Sequence, residues 1–209
     1  MNYSELAAAV ASTTVNEFAD ADMARFAQLT EQKVYNAVQI PALRKNVTGN
    51  LTPAGPYLTL PTDFLYPYSL AVIDGTGAYS YLLDKDVSFI RSAYPTPLFS
   101  GLPKYYAIFD KDTAIVGPTP DTNYSVELHY GYYPESIVTA GTSWLGDNFD
   151  SVLLNGMLVE AARFMKEEVD VVALYTKMFD ESMMQLKRLG DGLLRMDAYR
   201  TPQVRVPVT

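Results

Sequence analysis

The chain has 209 residues, a formal net charge of −8, a mean hydropathy of −0.02 and 48% hydrophobic residues, enough apolar material for one large domain or a bundle carrying an insertion and too much for general disorder. It contains no cysteine and one histidine, His129, which excludes disulfides, thiolate metal sites, cysteine nucleophiles and multi-histidine zinc sites. No run of Lys and Arg stands out, which argues against a tight DNA grip, although an acidic wall beside a DNA passage keeps a duplex from sticking.

In chain order, the apolar stretch 6–10 follows Glu5 rather than basic residues. It is too short for a secretory core or a membrane span, so assembly in a cytoplasm is expected. Residues 3–11 read as an alanine-rich helix capped near Asn2 or Ser4. A second helix is predicted over residues 22–38, where Met23, Ala27, Thr30, Val34 and Val38 make one apolar stripe, with Pro41 just beyond it. From residue 50 to 136 the prolines Pro53, Pro56, Pro61 and Pro67 break any helix, and tyrosines accumulate between them. Short strands are predicted at 57–60, 68–73 and 79–83, with a hairpin turn at Asp74-Gly75-Thr76-Gly77. Residues 84–92 read as a helical turn, and strands at 104–109 and 113–116 flank Asp110-Lys111-Asp112. The clearest strand is 124–132: Tyr124, Val126, Leu128, Tyr130 and Tyr132 alternate with Ser125, Glu127, His129 and Gly131.

The helical period returns after Trp144-Leu145. Asp147, Asn148 or Asp150 is the expected cap of a helix with Val152, Leu153, Gly156, Met157, Glu160 and Phe164 on one side. Gly156 marks close approach of a neighbouring helix, and Arg163 and Glu167 read as an exposed i,i+4 pair. A last helix carries Val172, Tyr175, Phe179, Met183, Leu186 and Leu193, with Gly190 and Gly192 as weak points. The expected fold is therefore α+β: an antiparallel bundle of about four helices interrupted by a β-strand-rich insertion, with an extended C-terminal arm. The corresponding spans are 1–48 and 144–195 for the bundle, 49–143 for the insertion and 196–209 for the arm. The arm contains Pro202 and Pro207 and alternates Val204, Val206 and Val208 with Arg205. Fully extended it would reach ~45 Å, a length suited to adding an edge strand to a partner; a disordered terminus is the alternative.

No catalytic, cofactor-binding or metal-binding residue is assigned, and neither enzymatic activity nor a cofactor is expected. Glu31 and Glu160 border apolar stripes and could serve as a general acid and base, but no motif surrounds them. Packing ion pairs with Arg25, Arg44 or Arg163 explain them with fewer assumptions. His129 reads as a surface strand residue, and no glycine loop has the strand–turn–helix context that phosphate binding requires. Of the 16 tyrosines, about half suit the core of a small sheet and the remainder suit subunit contacts.

The order of segments resembles the head-to-tail adaptor family of short-tailed phages (connector, or tail tubular protein A-like). Tyr57-Leu-Thr-Leu-Pro-Thr-Asp-Phe64 resembles its first strand and Pro-x-Asp-Phe turn. Pro103-Lys-Tyr-Tyr-Ala-Ile-Phe109 and Ile115-Val-Gly-Pro-Thr-Pro-Asp121 resemble its paired strands and proline turn, and Tyr124-Ser-Val-Glu-Leu-His-Tyr130 the strand that follows. Trp144-Leu145 and Leu158-Val-Glu-Ala-Ala162 complete a pattern spanning roughly residues 15 to 190. The resemblance implies a virion structural protein in a ring of about twelve subunits, docked under the portal protein and facing the downstream tail or nozzle protein. DNA would pass through its centre without sequence-specific binding, and no membrane would be involved. It also implies that the C-terminal arm embraces the portal, through Tyr199, Arg200, Val204, Arg205, Val206 and Val208. The alternatives are a tyrosine-rich carbohydrate- or receptor-binding virion module and, third, a virion glycosidase using Glu31 or Glu160.

Overall fold

The structure, a computed structural model, describes residues 1–193. In chain order these form helices α1 (Tyr3–Thr14) and α2 (Asp20–Ala37), a 3-10 turn (Pro41–Leu43), and strands β1 (Arg44–Leu51), β2 (Tyr57–Thr59), β3 (Tyr66–Ile73), β4 (Tyr79–Tyr81) and β5 (Leu83–Asp84). Helix α3 (Val87–Ala93), strands β6 (Tyr105–Ile108), β7 (Thr113–Gly117) and β8 (Tyr124–Gly131), and helices α4 (Ile137–Ala140), α5 (Trp144–Asn148), α6 (Asp150–Met165) and α7 (Val169–Leu193) follow. They divide into two compact units, one from Met1–Pro41 and the chain after Pro134, the other from Ala42–Pro134.

In the helical unit, α1 starts with a capping box: Asn2 Oδ1 accepts from Glu5 N at 2.9 Å, and the Glu5 carboxylate accepts from Asn2 N at 2.9 Å. Helix α2 buries Met23, Phe26, Ala27, Thr30, Glu31 and Val34, adding Phe26 and Glu31 to the expected stripe. Helix α6 departs most from expectation. Val152, Leu153, Gly156, Met157, Leu158, Val159, Ala161 and Ala162 are all buried, which occupies most of its circumference. A helix apolar on nearly every side lies at the centre of its unit, and α1, α2, α5 and α7 all pack on it. Its start also differs: Ser143 Oγ caps the separate helix α5 by accepting from Gly146 N at 3.1 Å, while α6 begins at Asp150 behind Phe149, which offers no side-chain cap.

The second unit contains two four-stranded sheets, ordered β1-β8-β3-β4 and β2-β7-β6-β5. The first is antiparallel throughout, and the second is mixed because β5 runs parallel to β6. Their facing sides share one core: Leu51, Leu70, Val72, Val126, Leu128 and Tyr130 from the first sheet meet Leu58, Tyr106, Ala114 and Val116 from the second. On the other side of the second sheet, Ala107 and Ile115 pack with Ile90 of α3. The unit is thus a β-sandwich with a helix on one face.

A four-helix bundle with a strand-rich insertion is therefore not the architecture. The chain is α+β with two sheets and seven helices among the described residues. Two physical reasons account for the difference. The apolar positions of α6 occupy more than one stripe, and β1 carries almost no hydrophobic signal. As an edge strand, Arg44-Lys-Asn-Val-Thr-Gly-Asn-Leu51 fully buries only Leu51, so its pairing with β8 depends on backbone groups rather than on an apolar alternation.

Candidate assembly surfaces

The two carboxylates considered for acid–base chemistry lie in different settings. Glu31, 3% exposed, accepts from Ser136 Oγ at 2.6 Å and from Ile137 N at 2.9 Å. Burial raises its pKa above the ordinary carboxylate value, against the lowering effect of these bonds and one from Tyr35. The expected arginine partner is thus replaced by hydrogen bonds to the start of α4. Glu160 forms ion pairs with Lys33 and, at 3.4 Å, with Arg163. Arg163 meets Glu160 one turn before it, which corrects the expected pair with Glu167. Lys33, Glu160 and Arg163 line a cleft of about 160 Å³ with Gly156, Thr176, Phe179 and Asp180. Gly156 is where two helices close in: an added Cβ would fall inside the Thr30 side chain and within 3.0 Å of Phe179 Cε2.

The tyrosines of the first sheet largely interact with one another and with nearby side chains. On its outer face Tyr68 lies beneath the Arg44 guanidinium, 4.3 Å from ring centre to Cζ, and 5.1 Å from the His129 ring. Tyr66 meets Tyr68 edge-on at 5.4 Å. Burial and the Tyr68 contact push the Tyr66 pKa up to about 12, with the hydrogen bond to Tyr68 the larger cause. A β-bulge between Pro67 and Ser69 brings Tyr68 onto this face. His129 is half-buried and belongs to this stack rather than to open surface. On the inner face Tyr130 is a core residue, as is Tyr106 of the second sheet, and Tyr130 OH donates to Asp63 at 2.8 Å.

Exposed apolar side chains mark the surfaces that suit partners. On α7, Leu174, Met178 and Leu189 are 56%, 40% and 38% exposed and share one side of the helix, flanking the stripe of half-buried Phe179 and buried Met183 and Leu186. Phe164 is half exposed within an edge-to-face trio with Phe18 and Phe26. In the β-rich unit, Tyr79 and Tyr81 are exposed on β4, the edge strand of the first sheet, and Leu83 is exposed on β5, the edge strand of the second. Sequence periodicity locates the buried side of a helix or strand, but the width of the face that neighbours cover is a tertiary property, so these strips were missed.

The arm residues Tyr199, Arg200, Val204, Arg205, Val206 and Val208 lie outside the described residues. Among those described, no group of three or more His, Cys, Asp or Glu residues gathers as for a metal ion, and no helix is long and apolar enough to cross a membrane. Comparison with curated proteins finds no match. A family model described as SU10 adaptor protein matches residues 1–206, which covers nearly every element of both units and agrees with the segment order in the sequence. The chain belongs to the SU10 adaptor protein family.

Proposed function

We propose that the chain is a structural subunit of a phage neck, acting as a head-to-tail adaptor rather than a catalyst. Copies form a ring of about twelve subunits that docks under the portal protein, carries the next tail component and surrounds the DNA path. The family match over residues 1–206 carries this reading. The Leu174, Met178 and Leu189 strip on α7 supports it physically, because exposed apolar side chains along a helix are normally covered by a partner. The acidic balance of −8 suits a DNA conduit that must not hold the duplex.

The test is electron microscopy and sedimentation of the purified chain with and without its portal protein. Closed rings seated on the portal are expected. A chain that stays monomeric beside the portal and binds glycans instead would replace the adaptor with the receptor-binding alternative.

A further inference from the structure

We infer that the first sheet continues from one copy of the chain into the next, the β4 edge of one copy pairing antiparallel with the β1 edge of its neighbour. The inference rests on the reading that copies form a ring, and it names a joint in the β-rich unit in addition to the exposed strip on α7.

Strands β1 and β4 end the first sheet, and its four strands alternate in direction, so the two edges run opposite ways. A rotation that carries one copy to the next without turning it over therefore sets β4 beside β1 as an antiparallel pair, as a head-to-tail ring requires. The second sheet lacks this property: β5 runs parallel to β6, so its edges β2 and β5 point the same way. Backbone alternation decides which groups each edge offers. Tyr132 N donates to Leu43 O at 3.0 Å, which directs Lys45, Val47 and Gly49 toward β8 and leaves Asn46 and Thr48 facing away from the sheet. On the other edge Asp74 N donates to Ala78 O at 3.1 Å and Leu82 N to Leu70 O at 2.9 Å. Ser80 therefore faces β3, and Tyr79 and Tyr81 direct their backbone groups outward, where a further strand would bond.

Side chains and charge agree on one register, with Tyr81 opposite the neighbour's Asn46 and Tyr79 opposite its Thr48. All four lie on the outer face, opposite the core side chains Leu70, Val72, Val126 and Leu128. The pairing lays Tyr79 and Tyr81, 50% and 66% exposed, along the polar β1, and sets Ser80 against Val47, which is 37% exposed on the inner face. Charge complements it. Strand β1 begins with Arg44 and Lys45, whereas β4 is flanked by Asp74, Asp84 and Asp86, with Lys85 between the last two. Lys45 is already paired with Asp63 at 2.7 Å, but Arg44 stacks on Tyr68 and has no carboxylate partner among the described residues. Its Nε is buried without an acceptor. Asp84, three residues past Tyr81, approaches that guanidinium in this register. A two-fold pairing of β1 with β1 would instead place the basic ends against Asn50 and Leu51 and leave both tyrosines uncovered.

The chain lacks cysteine, so an engineered disulfide reports this joint alone. Within one chain, residues 47 and 80 lie three strand spacings apart, about 14 Å, too far to bridge. The full-length chain carrying Val47→Cys with Ser80→Cys, assembled with the portal protein and oxidised, should give a ladder of disulfide-linked multimers on a non-reducing gel. Either single variant should stay monomeric on that gel, and a mixture of the two singles should stop at dimers. Adding Thr48→Pro removes an outward N–H and no bond of the chain's own sheet. It should leave the thermal unfolding midpoint of the monomer nearly unchanged and cut the ladder roughly tenfold, the scale of one lost hydrogen bond. A ladder undiminished by Thr48→Pro overturns the joint. So does a dimer from Val47→Cys alone, which marks a two-fold β1 pair, or an equal ladder when Thr59→Cys on β2 replaces Val47→Cys. Rings in microscopy without a ladder refute the joint and leave the adaptor reading intact; a ladder from chains that never seat on the portal supports the joint and counts against that reading.

Discussion

At Glu31, burial and hydrogen bonding act in opposite directions on one carboxylate. Burial is the larger effect and raises the pKa, so the ionised form is disfavoured in the fold. The sign follows from linkage: the penalty is absent below the unfolded-state pKa and fully present above the folded one, so acidification across that window relieves it. Glu31→Gln keeps an acceptor for Ile137 N and a donor for Ser136 Oγ. Urea midpoints should therefore show the variant at least as stable as the parent at pH 7, with the difference shrinking toward pH 5. A variant less stable at both values would refute this. Glu31→Ala instead strands the buried Ile137 N–H and should cost about 1–3 kcal/mol. Thr30, fully buried in α2, has no hydrogen-bond partner for Oγ1 among the described residues. Thr30→Val should accordingly raise the urea midpoint, by about 1 kcal/mol in stability. Gly156→Ala should lower it by about 1–3 kcal/mol through overpacking against Thr30 and Phe179.

At the scale of elements, caps and close approaches set the local conformations. Removing the α1 capping box with Asn2→Ala should cost about 1 kcal/mol, measured by the same unfolding midpoint. In β8, Gly131 lies under the Tyr66 ring, and an added Cβ would come 2.5 Å from Tyr66 Cζ. Gly131→Ala should displace that ring, weaken its hydrogen bond to Tyr68, and bring the Tyr66 titration below about 12 in an ultraviolet pH titration. An unchanged titration would mean that the Tyr66–Tyr68 contact does not depend on the glycine. Helix α7 presents both a buried and an exposed apolar side because its 25 residues carry more apolar surface than α6 covers.

For the whole molecule, the exposed strip on α7 predicts how copies meet. Leu174→Lys with Met178→Lys should leave the thermal unfolding midpoint of the monomer nearly unchanged, since both side chains are at least 40% exposed. It should abolish rings in sedimentation and microscopy. Rings that persist would move the subunit interface to another face.

Much of this was legible in the residues themselves. Val126, Leu128 and Tyr130 alternate because β8 is central in its sheet with one face in the core, and Asp74-Gly-Thr-Gly77 forms the turn between β3 and β4 because Asp74 Oδ1 accepts from Thr76 N and Ala78 N. The segment order pointed to the adaptor family for the same reason: turn and strand chemistry are local. Strand β1 was invisible because an edge strand without an apolar alternation is defined by its neighbour's backbone. Glu31's partners were missed because they come from residues more than a hundred positions away. The sequence by itself thus determined the local elements and the family. Tertiary packing decided that α6 is central, that the strands form two sheets, and which apolar strips stay uncovered, because burial depends on what each face meets.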